Sequence, residues 1–252
     1  MKKDGLKNSA TVSVAPMMDW TDRHCRYLHR LISKNTLLYT EMLTAAAIVN
    51  GDKIKLLNFD EAEHPIALQI GGSEPGLLAD AVKIVEKWGY DEVNLNVGCP
   101  SDRVKSGSFG VVLMRSPNLV ADCLKAMLDA SQNVEITVKC RIGVDEDDPY
   151  IILPGFIEKM QSVGVERLTI HARKAWLQGI SPKQNRNLPP LDYNLIFKMK
   201  EMFPTMHLTI NGGIQDICEI KTHLRNGIDG AMIGRSAYQN PVHVLQKVDR
   251  DI

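Results

Sequence analysis

The stretch Val93-Asn94-Leu95-Asn96-Val97-Gly98-Cys99-Pro100 opens a run, VNLNVGCPSDRVKSGSFGVVLM, that ends at Met114 and organises the chain. Val93, Leu95 and Val97 alternate with Asn94 and Asn96, so the two amides share one face of a short strand. Amides on an apolar strand are costly unless something polar meets them. Either a strand-end hydrogen-bond network or a binding site satisfies that demand. The Gly-Cys-Pro-Ser-Asp-Arg turn that follows favours a site.

Outward from this strand, short apolar runs recur at regular intervals: Val12–Ala15, Leu37–Tyr39, Ile66–Ile70, Val93–Val97, Ile136–Cys140, Leu168–Ala172, Leu208–Asn211 and Ala231–Gly234. Helical patterns lie between them, at Thr21–Ile32, Glu41–Val49, Glu74–Lys87, Pro117–Ala130, Ile151–Val163, Tyr193–Met202 and Ile214–Asn226, with a last one at Pro241–Asp251. Proline opens several of these, and Gly89, Gly164 and Gly227 stand where helices should stop. Eight strand–helix units predict a (β/α)8 TIM barrel, an α/β fold that needs ~250 residues. Residues 12–252 are then one domain, and 1–11 a flexible leader. A doubly wound sheet is disfavoured by the regular repeat and by the lack of Gly-x-Gly-x-x-Gly after the first strand.

Composition is that of an ordinary globular protein: 252 residues, 44% hydrophobic, 24% charged. Lys+Arg and Asp+Glu are both 30, so an anionic partner must be met by a local patch. The five cysteines, at 25, 99, 123, 140 and 218, show no metal-ligand spacing, which suits a reduced, cytoplasmic protein. His24, Cys25 and His29 fit one helix surface better than a metal site, and no metal is expected. No apolar run approaches membrane-spanning length, and the N-terminus is too polar for a signal peptide.

On a TIM barrel the chemistry lies at the C-terminal ends of the strands, and unusual residues cluster there. Ala15-Pro16-Met17-Met18-Asp19 bends a methionine pair over the mouth. Gln69 precedes Gly71-Gly72; Lys139 and Arg141 share a face; His171 and Arg173 repeat that spacing. Asn211-Gly212-Gly213 and Gly234-Arg235 follow the last two strands, where this fold commonly builds a phosphate site. There glycines bare backbone N–H groups and a helix N-terminus adds a favourable field. A flat, polar-edged, phosphorylated ligand is implied. Flavin mononucleotide (FMN) satisfies every feature; a phosphosugar satisfies only the phosphate end.

Together these motifs resemble the tRNA-dihydrouridine synthases: Ala15–Thr21, Leu68–Gly72, Asn94–Ser101, Val138–Gly143 and Ile210–Ile214. His171–Gly179 followed by Pro189-Pro190-Leu191-Asp192-Tyr193 is similar to the A subfamily. The resemblance implies an FMN barrel that reduces the C5=C6 bond of uridines in the tRNA D-loop with NADPH as reductant. It places Pro16, Met17, Met18, Gln69, Lys139 and His171 along the flavin and Asn211, Gly213, Gly234 and Arg235 at its phosphate. Asn96, Lys139 and Arg141 would lie near the uracil. The segment Arg173 to Arg186, with Lys174, Lys183 and Trp176, offers basic and aromatic groups suited to RNA, although a solvated loop accounts for it equally. A monomer is expected.

Two departures stand out. The family's acid cysteine occurs in a Gly-Ala-Cys-Leu-Met context, which here reads Gly110-Val111-Val112-Leu113-Met114. Val112 therefore occupies the proton donor's position. The resemblance also implies that members of the family continue past the position of Ile252 into a small helical tRNA-binding domain, which this chain is expected to lack. An impaired synthase is thus expected, with a catalytically inactive relative that retains FMN or RNA binding as the alternative. A Schiff-base aldolase using Lys139 ranks third.

Overall fold

The computed structural model describes residues 10–101 and 109–252. Most of the leader (1–9) and part of the loop after the fourth strand (102–108) lie outside the described residues. Eight parallel strands close into a barrel in sequence order: β1 (Val12–Val14), β2 (Leu37–Thr44), β3 (Ile66–Gly71), β4 (Glu92–Val97), β5 (Glu135–Arg141), β6 (Arg167–His171), β7 (His207–Asn211) and β8 (Gly230–Ile233). The chain is the (β/α)8 barrel that the repeat predicts.

Outer helices follow the strands: α1 (Arg23–Ile32), α2 (Ala45–Asn50), α3 (Lys53–Leu57), α4 (Pro75–Glu86), α5 (Pro117–Ala130), α6 (Pro149–Ser162), α7 (Tyr193–Met202) and α8 (Ile217–Arg225). Local chemistry sets their starts. Asp22, Asp52, Asp148, Asp192 and Asp216 each accept a backbone N–H of the first turn, and Pro75 and Pro117 open α4 and α5. His24, Cys25 and His29 all fall on α1, with Cys25 Sγ 3.6 Å from His29 Nε2.

The strands are two-sided in an unusual way. Outward residues such as Val93, Leu95, Val97, Ile136, Val138 and Cys140 join the helices in one large apolar cluster. Each fully buried aliphatic side chain there contributes roughly 1.5–3 kcal/mol. The apolar cluster of the interior is small: Ala10, Ala15, Leu37, Tyr39, Ala67 and Met232. The rest of the interior is polar, because the inward positions of β3 to β7 carry Gln69, Glu92, Asn94, Asn96, Thr137, Lys139, Thr169 and Thr209. At its lower end Glu92 accepts from Arg167 at 2.5 Å and from Tyr39 at 2.5 Å, and Arg167 also pairs with Glu135 at 2.9 Å.

Three expectations are corrected. The helical pattern at Glu41–Val49 begins as strand: β2 runs to Thr44, and Met42, Leu43 and Thr44 pair with Gln69, Ile70 and Gly71 after a register shift that follows Tyr39. Glu, Met and Leu favour helix locally, but pairing with β3 overrides that preference. The helix begins only where the Thr44 hydroxyl accepts from Ala47 N. The C-terminal pattern at Pro241–Asp251 divides into α10 (Pro241–Leu245) and α11 (Val248–Asp251), preceded by the short α9 (Arg235–Gln239). Finally, Ala10 and Thr11 belong to the packed structure: Ala10 is buried, and Thr11 O accepts from Ala231 N at 2.8 Å.

Candidate active site at the barrel mouth

Strand register places the site in layers. Asn96 lies beside Lys139 and Thr169, and one step higher Arg141, His171, Asn211 and Met232 form a row. Asn94 sits a full layer lower, paired in register with Gln69 and Thr137. Its exposure is 0%, against 8% for Asn96. The two amides of the opening strand therefore differ in role: Asn94 is internal to a hydrogen-bond network, and Asn96 is its uppermost amide.

Lys139 is half-buried and donates to Asn211 Oδ1 at 3.0 Å, while Asn211 Nδ2 donates to Met232 O at 2.8 Å. Asn211 thus aims the ammonium. Burial, with the neighbouring Arg141 guanidinium, brings Lys139 down to about 8. Arg141 is itself buried and donates to Gly98 O (2.9 Å), Lys174 O (3.0 Å) and Asn185 O (3.1 Å). It ties the loop after β4 to the loop after β6. Asn185, which the sequence does not single out, completes that knot: its Nδ2 donates to Trp176 O and its Oδ1 accepts from Trp176 N.

His171 Nε2 is buried with no hydrogen-bond partner among the described residues. Burial, then the charges of Arg141, Lys139, Arg173 and Arg235, hold its imidazole well below the usual histidine range. It is a neutral ring with a vacant nitrogen. Beside it Gly212 has φ +110°, and a Cβ there would lie 2.6 Å from His171 Cδ2 and 2.8 Å from Nε2. Gly213, at φ +77°, would place a Cβ 2.6 Å from Leu191 Cδ1. Tyr193 OH donates to Gly212 O at 2.5 Å and so steadies the turn from below. Gly212→Ala is expected to cost roughly 1–3 kcal/mol in backbone strain, and it should displace His171. A melting curve and a flavin-binding titration check this, and unchanged binding would refute the close fit.

The remaining site residues divide. Met17 lies at the mouth, its sulfur 3.9 Å from where a Gly234 Cβ would be, whereas Met18 is 49% exposed. Pro16 is half-buried in the same turn, which Thr21 closes by donating to Met17 O and accepting from Met17 N. Arg173 donates to Pro189 O and keeps a buried Nε unpartnered among the described residues. Arg235 donates to Arg186 O at 3.3 Å. Lys174 stands apart, with its Nζ 5.5 Å above the Trp176 ring. The helix N-terminus expected to assist a phosphate after β7 is already capped: Asp216 accepts from Cys218 N and Glu219 N of α8. The helix after β8 is different: α9 begins at Arg235 with Gly234 as its cap residue and has no side-chain cap, so an anion near Gly213 and Gly234 would meet free backbone there together with Arg235 and Arg173.

Val112 lies in a short 3-10 helix, Gly110–Arg115, and is half-buried. Val111 N donates to Cys99 O at 3.0 Å, and a Cβ on Gly71 would lie 2.6 Å from the Phe109 ring. The turn is thereby fastened to the C-terminal ends of β3 and β4.

Residues 13–252 match the family described as Dihydrouridine synthase (Dus). The chain belongs to the dihydrouridine synthase family. Curated relatives of this family member share high identity along its whole length. It is 56% identical over 252 residues to the tRNA-dihydrouridine(20/20a) synthase of Escherichia coli K12, covering 100% of this chain and 72% of that protein. It is 54% identical over 241 residues to the protein of the same name from Synechocystis, covering 96% and 71%. In solved structures the barrel of this dihydrouridine synthase is similar to an old yellow enzyme homologue from Zymomonas mobilis, with a TM-score of 0.66 at 10% identity over 92% of this chain and 86% of that one. It is also similar to TcOYE in a crystal with pHBA, with a TM-score of 0.62 at 10% identity over 94% and 90%. At such identities these likenesses concern the fold.

Besides Asn185, the motifs of this family member leave out Thr137 and Glu92, which the strands bring beneath the mouth. Both are legible as period-two partners, Thr137 of Lys139 and Glu92 of Asn94.

Proposed function

We propose that the chain is a flavin-dependent tRNA-dihydrouridine synthase that reduces the uridine C5=C6 bond in the tRNA D-loop, with FMN as cofactor and NADPH as reductant, slowed by the loss of the acid at position 112. The observation that carries the proposal is the mouth itself. Lys139, Gln69 and Asn96 supply N–H donors, His171 holds an unpartnered Nε2, and the Gly212-Gly213 turn admits no side chain. The names of the relatives add the substrate.

This donor set fits FMN, whose ring edge bears carbonyl and imine acceptors and whose phosphate is anionic. Bound FMN would supply hydride transfer, the chemistry that side chains lack. The protein's share is orientation and charge. Gln69 and Lys139 would meet the acceptor edge of the ring, with Asn211 fixing where the ammonium points. Pro16, Met17 and Met18 would line the ring edge, and His171 would offer its free nitrogen. Gly213, Gly234 and Arg235 would face the phosphate. Asn96 and Arg141 would border the uracil, with Arg141 acting through the loops it ties together. Arg173, Lys174 and Trp176 would meet the RNA backbone and bases. Local cationic crowding supports an anionic partner even though the net charge is zero: burial first, and then the charges of Arg186 and Arg173, together bring Arg141 down to about 10.

Lys139 gives the reading a pH signature. Below about pH 8 the ammonium is charged, so FMN affinity should be greatest there and decline as pH rises past 8. Stability should move the other way. Between about 8 and the ordinary 10.5, the unfolded chain binds the extra proton, so Lys139 adds to stability as pH rises through that window. Flavin titrations at pH 7 and pH 9, with Lys139→Met as control, test this. An equal slope in the variant would remove Lys139 from the site.

The second reading, a relative that binds flavin or RNA without turnover, is favoured by Val112 alone. Dihydrouridine in tRNA from a synthase-null host carrying this chain separates the two. Formation supports the synthase, and its absence beside yellow, FMN-loaded protein supports the inactive relative. Borohydride trapping of a carbonyl substrate on Lys139, with no flavin bound, would instead support an aldolase.

A further inference from the structure

A chain of hydrogen bonds runs along the barrel axis from the buried Glu92 to the mouth, and its direction is fixed at both ends. At the top, the backbone N–H groups of Gly98 (3.1 Å) and Cys99 (2.9 Å) donate to Asn96 Oδ1. A backbone N–H can only donate, so the Asn96 amide must turn its Nδ2 inward, where it meets Gln69 Oε1 at 2.7 Å. Gln69 Nε2 then faces Asn94 Oδ1 at 2.9 Å, and Asn94 Nδ2 faces Thr137 Oγ1 at 2.8 Å. At the bottom, the single hydroxyl proton of Thr137 goes to Glu92, which also accepts from Tyr39 and Arg167. Thr137 can therefore only accept from Asn94. Reversing any one amide would place oxygen against oxygen or donor against donor along a buried line, at the cost of unsatisfied polar groups.

We propose that Glu92, Thr137 and Asn94 are positioning residues that hold the amide of Gln69 from below, as Asn96 holds it from above, so that its remaining N–H serves the acceptor edge of the bound flavin. The proposal rests on the reading of the mouth as an FMN site. None of the three residues need touch the ligand, since Glu92 and Asn94 are fully buried and Thr137 nearly so. Their role is to deny Gln69 the flip that would present its oxygen. Removing the Thr137 acceptor frees Asn94 and so removes the lower of the two holds on Gln69, leaving only Asn96 to fix it.

The test compares Thr137→Val, which lacks the hydroxyl, with Thr137→Ser, which keeps it. Apoprotein is titrated with FMN, and the midpoint potential of the bound flavin is measured. Thr137→Val is expected to bind FMN about tenfold more weakly, the scale of one or two net hydrogen bonds. It should also shift the potential to more negative values, because donors favour the reduced, more electron-rich ring. Thr137→Ser should restore both. A folded Thr137→Val with the parent's affinity and potential would overturn the proposal while leaving the FMN reading intact. A parent that does not bind FMN would overturn that reading and this inference with it. Should Thr137→Val fail to fold, 15N spectra of the parent decide. FMN must shift the side-chain amide signals of Gln69, and unshifted signals refute the proposal.

Discussion

Val112→Cys is expected to raise the rate of dihydrouridine formation by ~10²–10⁴-fold, the usual contribution of a general acid. That range corresponds to roughly 3–5 kcal/mol of barrier. The family resemblance places a proton-donating cysteine at this position, and an isopropyl group has no proton to give. Reduction at C6 leaves C5 needing a proton, which solvent can deliver only slowly. The structure makes the substitution a clean one. Position 112 lies on a turn fastened by Val111 N to Cys99 O and by Phe109 against Gly71, so the backbone is set by its neighbours. Valine and cysteine are close in size, and the side chain is only half-buried. Stability should therefore change little while the rate changes greatly. Single-turnover reduction of tRNA by the two proteins measures the ratio, with Val112→Ala as the control that should gain nothing. A parent as fast as Val112→Cys would refute the account of the missing acid.

Arg167→Met is expected to cost about 3–5 kcal/mol, because it strands a buried carboxylate. Glu92 is fully enclosed and, among the described residues, meets a single cation, Arg167, at 2.5 Å; Tyr39 and Thr137 give it hydrogen bonds but no charge. Burial pushes Glu92 upward and Arg167 opposes that push. Without the guanidinium, the folded variant would hold a proton on Glu92 that the unfolded chain releases. Its stability should then fall as pH rises from 5 to 8, since over that window the folded state binds more protons. Urea unfolding at both pH values measures this, and Glu92→Gln combined with Arg167→Met should recover much of the loss. A pH-independent deficit would show that lost packing, and not the stranded charge, is responsible.

Much of the site was legible in the chain before folding. Alternation of Asn with Val and Leu in β4 identified a polar inner face, and the same spacing of two marked Lys139 with Arg141 and His171 with Arg173. The Gly212-Gly213 pair was readable as a turn that bares its backbone N–H groups, while the closeness of His171 and Leu191 to it was not. Two mismatches had a common origin. Glu41 to Thr44 carry helix-forming residues, yet they extend β2 because β3 supplies partners for their backbone groups. Asn94 looked equivalent to Asn96, yet it lies a layer deeper and faces Gln69 and Thr137.

The sequence by itself determined the repeat of eight strand–helix units, the face on which each strand carries its polar residues, the family, and the valine at position 112. Tertiary structure decided depth. A period of two states which side of a strand a residue occupies but not how high it stands in the barrel, because height follows from the stagger between neighbouring strands. That stagger separated Asn94 from Asn96, drew the cations of β5, β6 and the last loop around His171, and aligned Glu92, Thr137 and Asn94 beneath the mouth. It also turned Arg141 onto the carbonyls of Gly98, Lys174 and Asn185, which meet because β4 and β6 flank β5 and Asn185 folds back onto Trp176.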